Sequence, residues 1–184
     1  NNILMILDQV QCGMGRTGKL FSHERSGIEP DIITLAKGLG AGFPIGAVLS
    51  SDKASMGMSH GSHGSTFGGN PVGCSIALKV LDLIEEENIL SNVNTASKLL
   101  FKELDRLVAK HHNKISGTRG RGLMIGVECI EKNSIITDQA FKQGLLLVNA
   151  SNNIIRLLPP LNISEVEISE AVKKFDEALS NLDL

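Results

Sequence analysis

The spacing of apolar and polar positions changes twice along the chain. Residues 3–7 form a short continuous apolar run closed by Asp8, the pattern of a strand buried on both faces, as in parallel sheets. Shorter apolar pieces follow at 31–36 and 46–49. They are separated by glycine-rich, weakly periodic stretches at 13–18 and 38–46. Glycine at that density brings backbone close to something, more often a ligand than nothing.

Past residue 70 the spacing becomes helical. Asn70-Pro71 supplies an N-cap and a first-turn proline, and Val72, Ile76, Ala77, Val80, Leu81 and Ile84 share one face up to Asn88. A second helix starts at Ser91, with Val93, Ala96, Leu99, Leu100, Leu104, Leu107 and Val108 on one side. Strand-like segments come next at 122–129, 145–148 and 154–158, with a helix at 137–143 between the first two. Ser164 and Glu167 form a capping box ahead of Ile168, Ala171, Val172, Phe175, Ala178, Leu179 and Leu182, which predicts a final amphipathic helix. The change of character puts a boundary near 86–91. The expected architecture is therefore α/β: a mostly parallel sheet over 1–88 and a smaller α+β unit over 89–184.

Composition narrows the function classes. The chain has 184 residues, enough for one to two domains. It is 42% hydrophobic, which excludes a largely disordered chain. No apolar run reaches the roughly 18 residues that a membrane-spanning helix needs. Eighteen Lys and Arg stand against 20 Asp and Glu, a net charge of −2. Nucleic acid and anionic membrane surfaces both call for a basic excess, so neither is an expected partner. Cys12, Cys74 and Cys129 lie far apart and form no C-x-x-C, which suggests reduced thiols and a cytoplasmic setting rather than a disulfide framework or a zinc site. There is no Trp or Tyr, and the sequence opens Asn1-Asn2-Ile3 without an initiator Met; the expectation is a processed start or a piece of something longer.

Candidate chemistry sits in the glycine-rich part. Gly13-x-Gly15-x-x-Gly18 has the outline of a dinucleotide fingerprint, but residues 19–22 open no convincing helix, so no helix N-terminus is ready for a pyrophosphate. Asp8, at the carboxyl end of a buried strand, either meets a ligand there or caps a turn. Lys37, among small residues, is a surface lysine or, where partly buried, a nucleophilic amine with room for a bulky group. His60 and His63 lack a third ligand nearby, and the hydroxyls and glycines that follow them suit a phosphate better than a metal. Arg156 interrupts an apolar strand, which demands an anion, either a structural ion pair or a substrate.

Taken in order, these segments resemble one family. Asp8-Gln9-Val10-Gln11-Cys12-Gly13-Met14-Gly15-Arg16-Thr17-Gly18, then Ala36-Lys37-Gly38-Leu39-Gly40-Ala41-Gly42-Phe43-Pro44-Ile45-Gly46-Ala47, then 63–71, resemble the class III aminotransferases that depend on pyridoxal 5′-phosphate. Gly122-Leu123-Met124-Ile125-Gly126-Val127-Glu128 and Arg156-Leu157-Leu158-Pro159-Pro160-Leu161 are similar to the branch that uses N-acetylornithine. The resemblance implies a fold type I large-domain portion followed by a small C-terminal domain. It implies Lys37 as the Schiff-base lysine and proton carrier, and Asp8 as the partner of the pyridinium nitrogen. Gln9, Val10 and Gln11 would lie along the cofactor, with Val10 packed on one ring face and Gln11 on the phenolic oxygen. Thr66 would donate to the phosphate, across the interface of a homodimer with shared active sites. Ser65 and Arg156 would meet substrate, Arg156 through a carboxylate.

The implied reaction moves an amino group from N-acetylornithine to 2-oxoglutarate in arginine synthesis. Ornithine, succinylornithine and 4-aminobutyrate aminotransferases, and a glutamate-semialdehyde aminomutase, are alternatives within the family. A non-catalytic half-enzyme that needs a separate N-terminal chain is an alternative outside it. Members of the family are longer, so the chain is expected to match their C-terminal half, with the phosphate-binding turn and ring-stacking aromatic in the other half. The family usually carries Glu where this chain has Gln9.

Overall fold

The computed structural model describes residues 3–182. The chain is α/β with mixed sheets and divides into two compact units, residues 1–90 and 91–184.

In the first unit, β1 (Ile6–Asp8), β2 (Ile32–Leu35) and β3 (Ala47–Ser50) form a sheet in that order. β1 pairs with β2 in parallel, so that Asp8 stands opposite Thr34, whereas β2 and β3 are antiparallel. The sheet is thus mixed where a mostly parallel one was expected. Nor is β1 buried on both faces: Ile3 is 75% and Ile6 61% exposed. β1 is the edge strand of these three, hydrogen-bonded to β2, and its outward side chains lie open among the described residues.

A short helix, α1 (Asp52–Ser55), precedes α2 (Pro71–Glu86). The side chain of Asn70 accepts the Gly73 N–H at 2.8 Å, the cap that the sequence predicts, and Asn88 leaves the helix with φ of 51°. Only Gly73 and Ile84 of α2 are buried, while Val72, Leu78 and Leu81 remain exposed. Its contact is with a 3₁₀ turn at Lys37–Gly40.

Most of the core belongs to the second unit. Its sheet is antiparallel in the order β4 (Ile115–Arg121), β5 (Met124–Cys129), β7 (Ile154–Leu157), β6 (Val148–Ala150). Ile125, Val127 and Ile155 share the core face, where Val93, Leu104 and Leu107 of α3 (Ile89–Lys110), Ile136 of α4 (Asn133–Lys142), and Phe175 and Leu179 of α5 (Glu165–Ser180) are all buried. β4 has no signal in the apolar pattern, because its sequence, ISGTRGR, is held by pairing with β5 rather than by its own residues. The β6–β7 turn carries Asn152 and Asn153 at φ of 59° and 56°, which suits a tight hairpin of the primed type. Asn153 also accepts the Asn133 N–H and donates to the carbonyls of Cys129 and Glu131, which fastens α4 to the sheet. The predicted capping box is present: the Ser164 hydroxyl accepts the Glu167 N–H and the Glu167 carboxylate accepts the Ser164 N–H.

Two polar anchors, buried Lys114 and half-buried Asp176, tie α5 down. Lys114 Nζ donates to the carbonyls of Leu179 (2.7 Å) and Leu182 (2.9 Å), so a cation meets the negative end of the helix. Asp176 takes Lys110 Nζ at 2.8 Å and lies 2.6 Å from His111 Nε2. Burial raises the Asp176 carboxyl, but the hydrogen bonds from His111 and Lys110 outweigh it and hold the group below its ordinary value of 3.8. A carboxyl depressed in the folded state stabilises above its unfolded value and loses that contribution as pH falls through the folded one. Asp176→Asn therefore costs about 1–3 kcal/mol of stability at neutral pH, and the difference from wild type shrinks on acidification below pH 3.8, as measured by denaturant titration across pH.

Candidate active site

Parallel pairing of β1 and β2 ends both strands at the same edge of the sheet, where α/β proteins place ligands. Asp8 closes β1, and Lys37 begins the turn just after β2. The Asp8 carboxylate is exposed and accepts the Val10 N–H at 2.9 Å and the Thr34 hydroxyl at 3.4 Å. Both bonds fall on Oδ1, which leaves Oδ2 for another N–H donor.

Lys37 is exposed rather than partly buried, because the glycine-rich turn holds its backbone without folding over its side chain. Its φ is 46°, in the left-handed region that non-glycine residues rarely occupy, and Ala41 at the end of the turn has φ of 45°. Such a backbone costs on the order of 1 kcal/mol or more and persists only where its surroundings dictate it. Those surroundings are visible. A Cβ on Gly38 would stand 3.1 Å from the Cβ of Met14, which is itself buried with φ of 53°, so the loop after Asp8 and the lysine turn interlock. Gly13 fits against Leu35, and a Cβ there would stand 2.8 Å from the Gln9 carbonyl oxygen. Gly13, the first of the three glycines of the false dinucleotide fingerprint, thus packs against the fold itself. The chain beyond them forms a 3₁₀ turn at Ser22–Arg25.

The remaining expected residues divide. Val10 and Gln11 are half-buried in the turns after Asp8. Gln9 departs from its expected place along a cofactor: it is 2% exposed, its Oε1 accepts the Ser22 N–H and its Nε2 meets His23 Nδ1, each at 2.6 Å. With both ends of its amide engaged within the fold, it supports the Asp8 loop from behind. Ser65 lines a cavity of about 550 Å³ together with Leu39, Ile45, Phe67 and Cys74. Thr66, next to it, is exposed in the loop before α2. No cluster able to hold a metal ion occurs among the described residues, so His60 and His63 form none.

Arg156 belongs to the second unit, on β7, directly between Gly126 of β5 and Val148 of β6. Ile155 faces the core, so strand alternation puts Arg156 on the opposite face, where it is half-buried beside the buried Ile154. Gly126 beside it is required, since a Cβ there would stand 2.9 Å from Ile154 Cγ2. Two residues of the site carry no motif of their own in the sequence: Thr34, whose signal is its place opposite Asp8, and His23.

The model of the family described as aminotransferase class-III matches residues 1–179. The chain belongs to the class III aminotransferases. It is 44% identical over 180 residues to the acetylornithine aminotransferase of Rhodobacter capsulatus, a match that covers 98% of this chain and 46% of that protein. The acetylornithine aminotransferase of Clostridium acetobutylicum is also 44% identical, over 97% of this chain and 46% of its own length. Among solved structures, acetylornithine aminotransferase from Elizabethkingia anophelis superposes with a TM-score of 0.92 at 33% identity, over 98% of this chain and 46% of that one. Ornithine aminotransferase from Plasmodium yoelii gives 0.91 at 31%, over 97% and 48%. The chain thus spans about half the length of the curated relatives it matches.

The interlocked loops make Gly13 a test of the site's floor. Gly13→Ala, pressed against backbone, destabilises by about 1–3 kcal/mol, whereas Gly64→Ala, with nothing within 4 Å of its Cβ position, changes little; thermal unfolding of the two variants measures the difference.

Proposed function

We propose that this chain forms the lysine-bearing part of a pyridoxal 5′-phosphate-dependent aminotransferase that takes an amino group from N-acetylornithine and delivers it to 2-oxoglutarate, within arginine synthesis. On this reading residues 1–88 belong to a fold type I large domain and 89–184 form its small domain. The working form is a cytoplasmic homodimer with shared active sites. The observation that carries it is the placement of an acid and an amine at the ends of two adjacent parallel strands, Asp8 and Lys37, in a chain 44% identical to acetylornithine aminotransferases.

The donor set fits the cofactor. An acid for a ring nitrogen, an amine for an aldehyde and hydroxyls for a phosphate are what this group requires, and Asp8, Lys37 and the Ser65–Thr66 pair offer them. When bound, pyridoxal 5′-phosphate supplies a carbonyl to the amine and a cationic ring that draws electrons from the substrate carbon. Asp8 holds the ring nitrogen protonated through its carboxylate, which Val10 and Thr34 orient. Lys37 would offer its amine to the carbonyl of the cofactor and, when free, would be the group that carries a proton to and from the substrate carbon. Val10 would exclude water from one ring face, Gln11 would donate to the phenolic oxygen and Thr66 to the phosphate. Ser65 orients the substrate, and Arg156 holds a substrate carboxylate by a paired guanidinium contact.

The first experiment mixes the chain with pyridoxal phosphate, alone and with the N-terminal half of a relative, reduces with borohydride and maps the modified peptide. Modification of Lys37, absent in Lys37→Ala, is expected; a mixture that labels no lysine, or labels it equally in the variant, overturns the reading. A coupled assay then ranks N-acetylornithine, ornithine and 4-aminobutyrate as donors, with N-acetylornithine preferred and a preference for 4-aminobutyrate counting against the assignment. In the same assay Arg156→Ala raises the substrate KM by about 30-fold or more, as loss of a charge pair worth roughly 2–5 kcal/mol requires.

A further inference from the structure

Gln9 follows Asp8 directly, and every polar group it has is engaged. Its N–H donates to the Thr34 carbonyl at 3.0 Å and its own carbonyl accepts the Gly13 N–H at 2.9 Å. Its side chain bridges Ser22 and His23. The direction of that bridge is set by elementary bookkeeping. The Ser22 backbone N–H can only donate, so the atom facing it must be the amide oxygen, and the NH₂ must face His23 Nδ1. An NH₂ donates, so Nδ1 must accept. The imidazole is therefore neutral with its proton on Nε2, since a proton on Nδ1 would set two donors against each other at 2.6 Å.

The surroundings favour this uncharged pair. The His23 ring stacks on Phe21, with centroids 5.8 Å apart and planes 15° from parallel. The next charged residues point their groups elsewhere: Glu24 accepts the Phe21 N–H, and Arg25 donates to the Thr17 carbonyl. A glutamate in place of Gln9 would accept from both Ser22 and the ring and so would call for a proton on Nδ1. Gln9 and His23 thus match each other, and the match holds the residue beside Asp8.

We infer that Gln9 and His23 are a positioning pair for Asp8: Gln9 selects the Nε2-protonated neutral form of His23, and their hydrogen bond fixes the loop whose Val10 N–H orients the Asp8 carboxylate. The tautomer stands on geometry alone, while the consequence for cofactor binding rests on the function proposed above for Asp8.

Long-range nitrogen–proton correlation spectra of the ¹⁵N-labelled chain near neutral pH read the tautomer directly. An unprotonated Nδ1 and a protonated Nε2 are expected for His23, and a proton on Nδ1 in the wild type overturns the inference. Gln9→Glu, nearly the same shape, moves the proton to Nδ1; an unchanged ring pattern in that variant overturns it as well. His23→Phe keeps the ring but removes the acceptor, and hydrogen exchange at the Val10 amide then quickens by roughly threefold to tenfold. His23→Asn, whose Oδ1 can accept as Nδ1 does, restores the slow rate. Exchange unaffected by His23→Phe would leave no positioning role. Where pyridoxal phosphate labels Lys37, cofactor affinity weakens in His23→Phe by about the same factor and recovers in His23→Asn. Failure to label Lys37 in the wild type sinks the proposed function but not the tautomer; unaltered spectra with normal labelling sink the pairing alone.

Discussion

Parallel pairing of β1 with β2 is the constraint on which the first unit depends. In an antiparallel pair, successive strand ends lie at opposite edges of the sheet, and Asp8 and Lys37 would be separated by the length of a strand. Parallel register instead sets Asp8 beside Thr34 and sends both chain segments off the same edge, one into the turns after Asp8 and the other into the lysine turn. Everything else there serves to keep these two exits from moving independently. Met14 lies under Gly38, Gly13 against Leu35, and α2 on the lysine turn. The left-handed backbones of Met14, Lys37 and Ala41 show that packing, and not local preference, sets the conformation.

The second unit solves a different problem. Its sheet is antiparallel: short turns join β4 to β5 and β6 to β7, and a crossover through α4 lets β7 pair between β5 and β6. The remaining task is to hold the helices, and polar groups do this where apolar packing has no direction: buried Lys114 on the end of α5, and half-buried Asn153 at the start of α4 and Asp176 between α5 and the end of α3. Each is a satisfied group whose partner cannot be replaced by a slide along the interface, because a hydrogen bond, unlike an apolar contact, loses most of its strength with about an ångström of displacement.

How much of this is legible in the sequence depends on whether the signal is local. The α2 cap at Asn70-Pro71 and the Ser164/Glu167 box are contained in a few consecutive residues, and both stand where the pattern puts them. β4 is not legible, since Gly117, Arg119 and Gly120 become a strand only through β5. β6 is displaced toward its Asn-Asn turn, because the turn and not the apolar run 145–148 sets the pairing. The exposure of β1 and of α2 is illegible for a related reason: an apolar run states that cover is needed but not which segment provides it. Arg156 is legible only in part. Its apolar neighbours mark the strand, but which face it takes, half-buried and opposite Ile155, follows only once β5 and β6 are known to flank it.

The same distinction separates side chains that face a ligand from those that hold them in place. Asp8, Lys37 and Thr66 are exposed, so nothing in their own burial marks them; the family motif does. Gln9 stands in the same motif, one residue from Asp8, yet it is buried and turned to Ser22 and His23. β1 ends at Asp8, and the chain that leaves it turns the Gln9 side chain into the fold, toward Ser22 and His23. A motif of consecutive residues at a strand end therefore mixes both kinds. Reading it as one uniform contact surface misplaces Gln9, and the donor and acceptor count of its buried side chain is what sorts it from its neighbours.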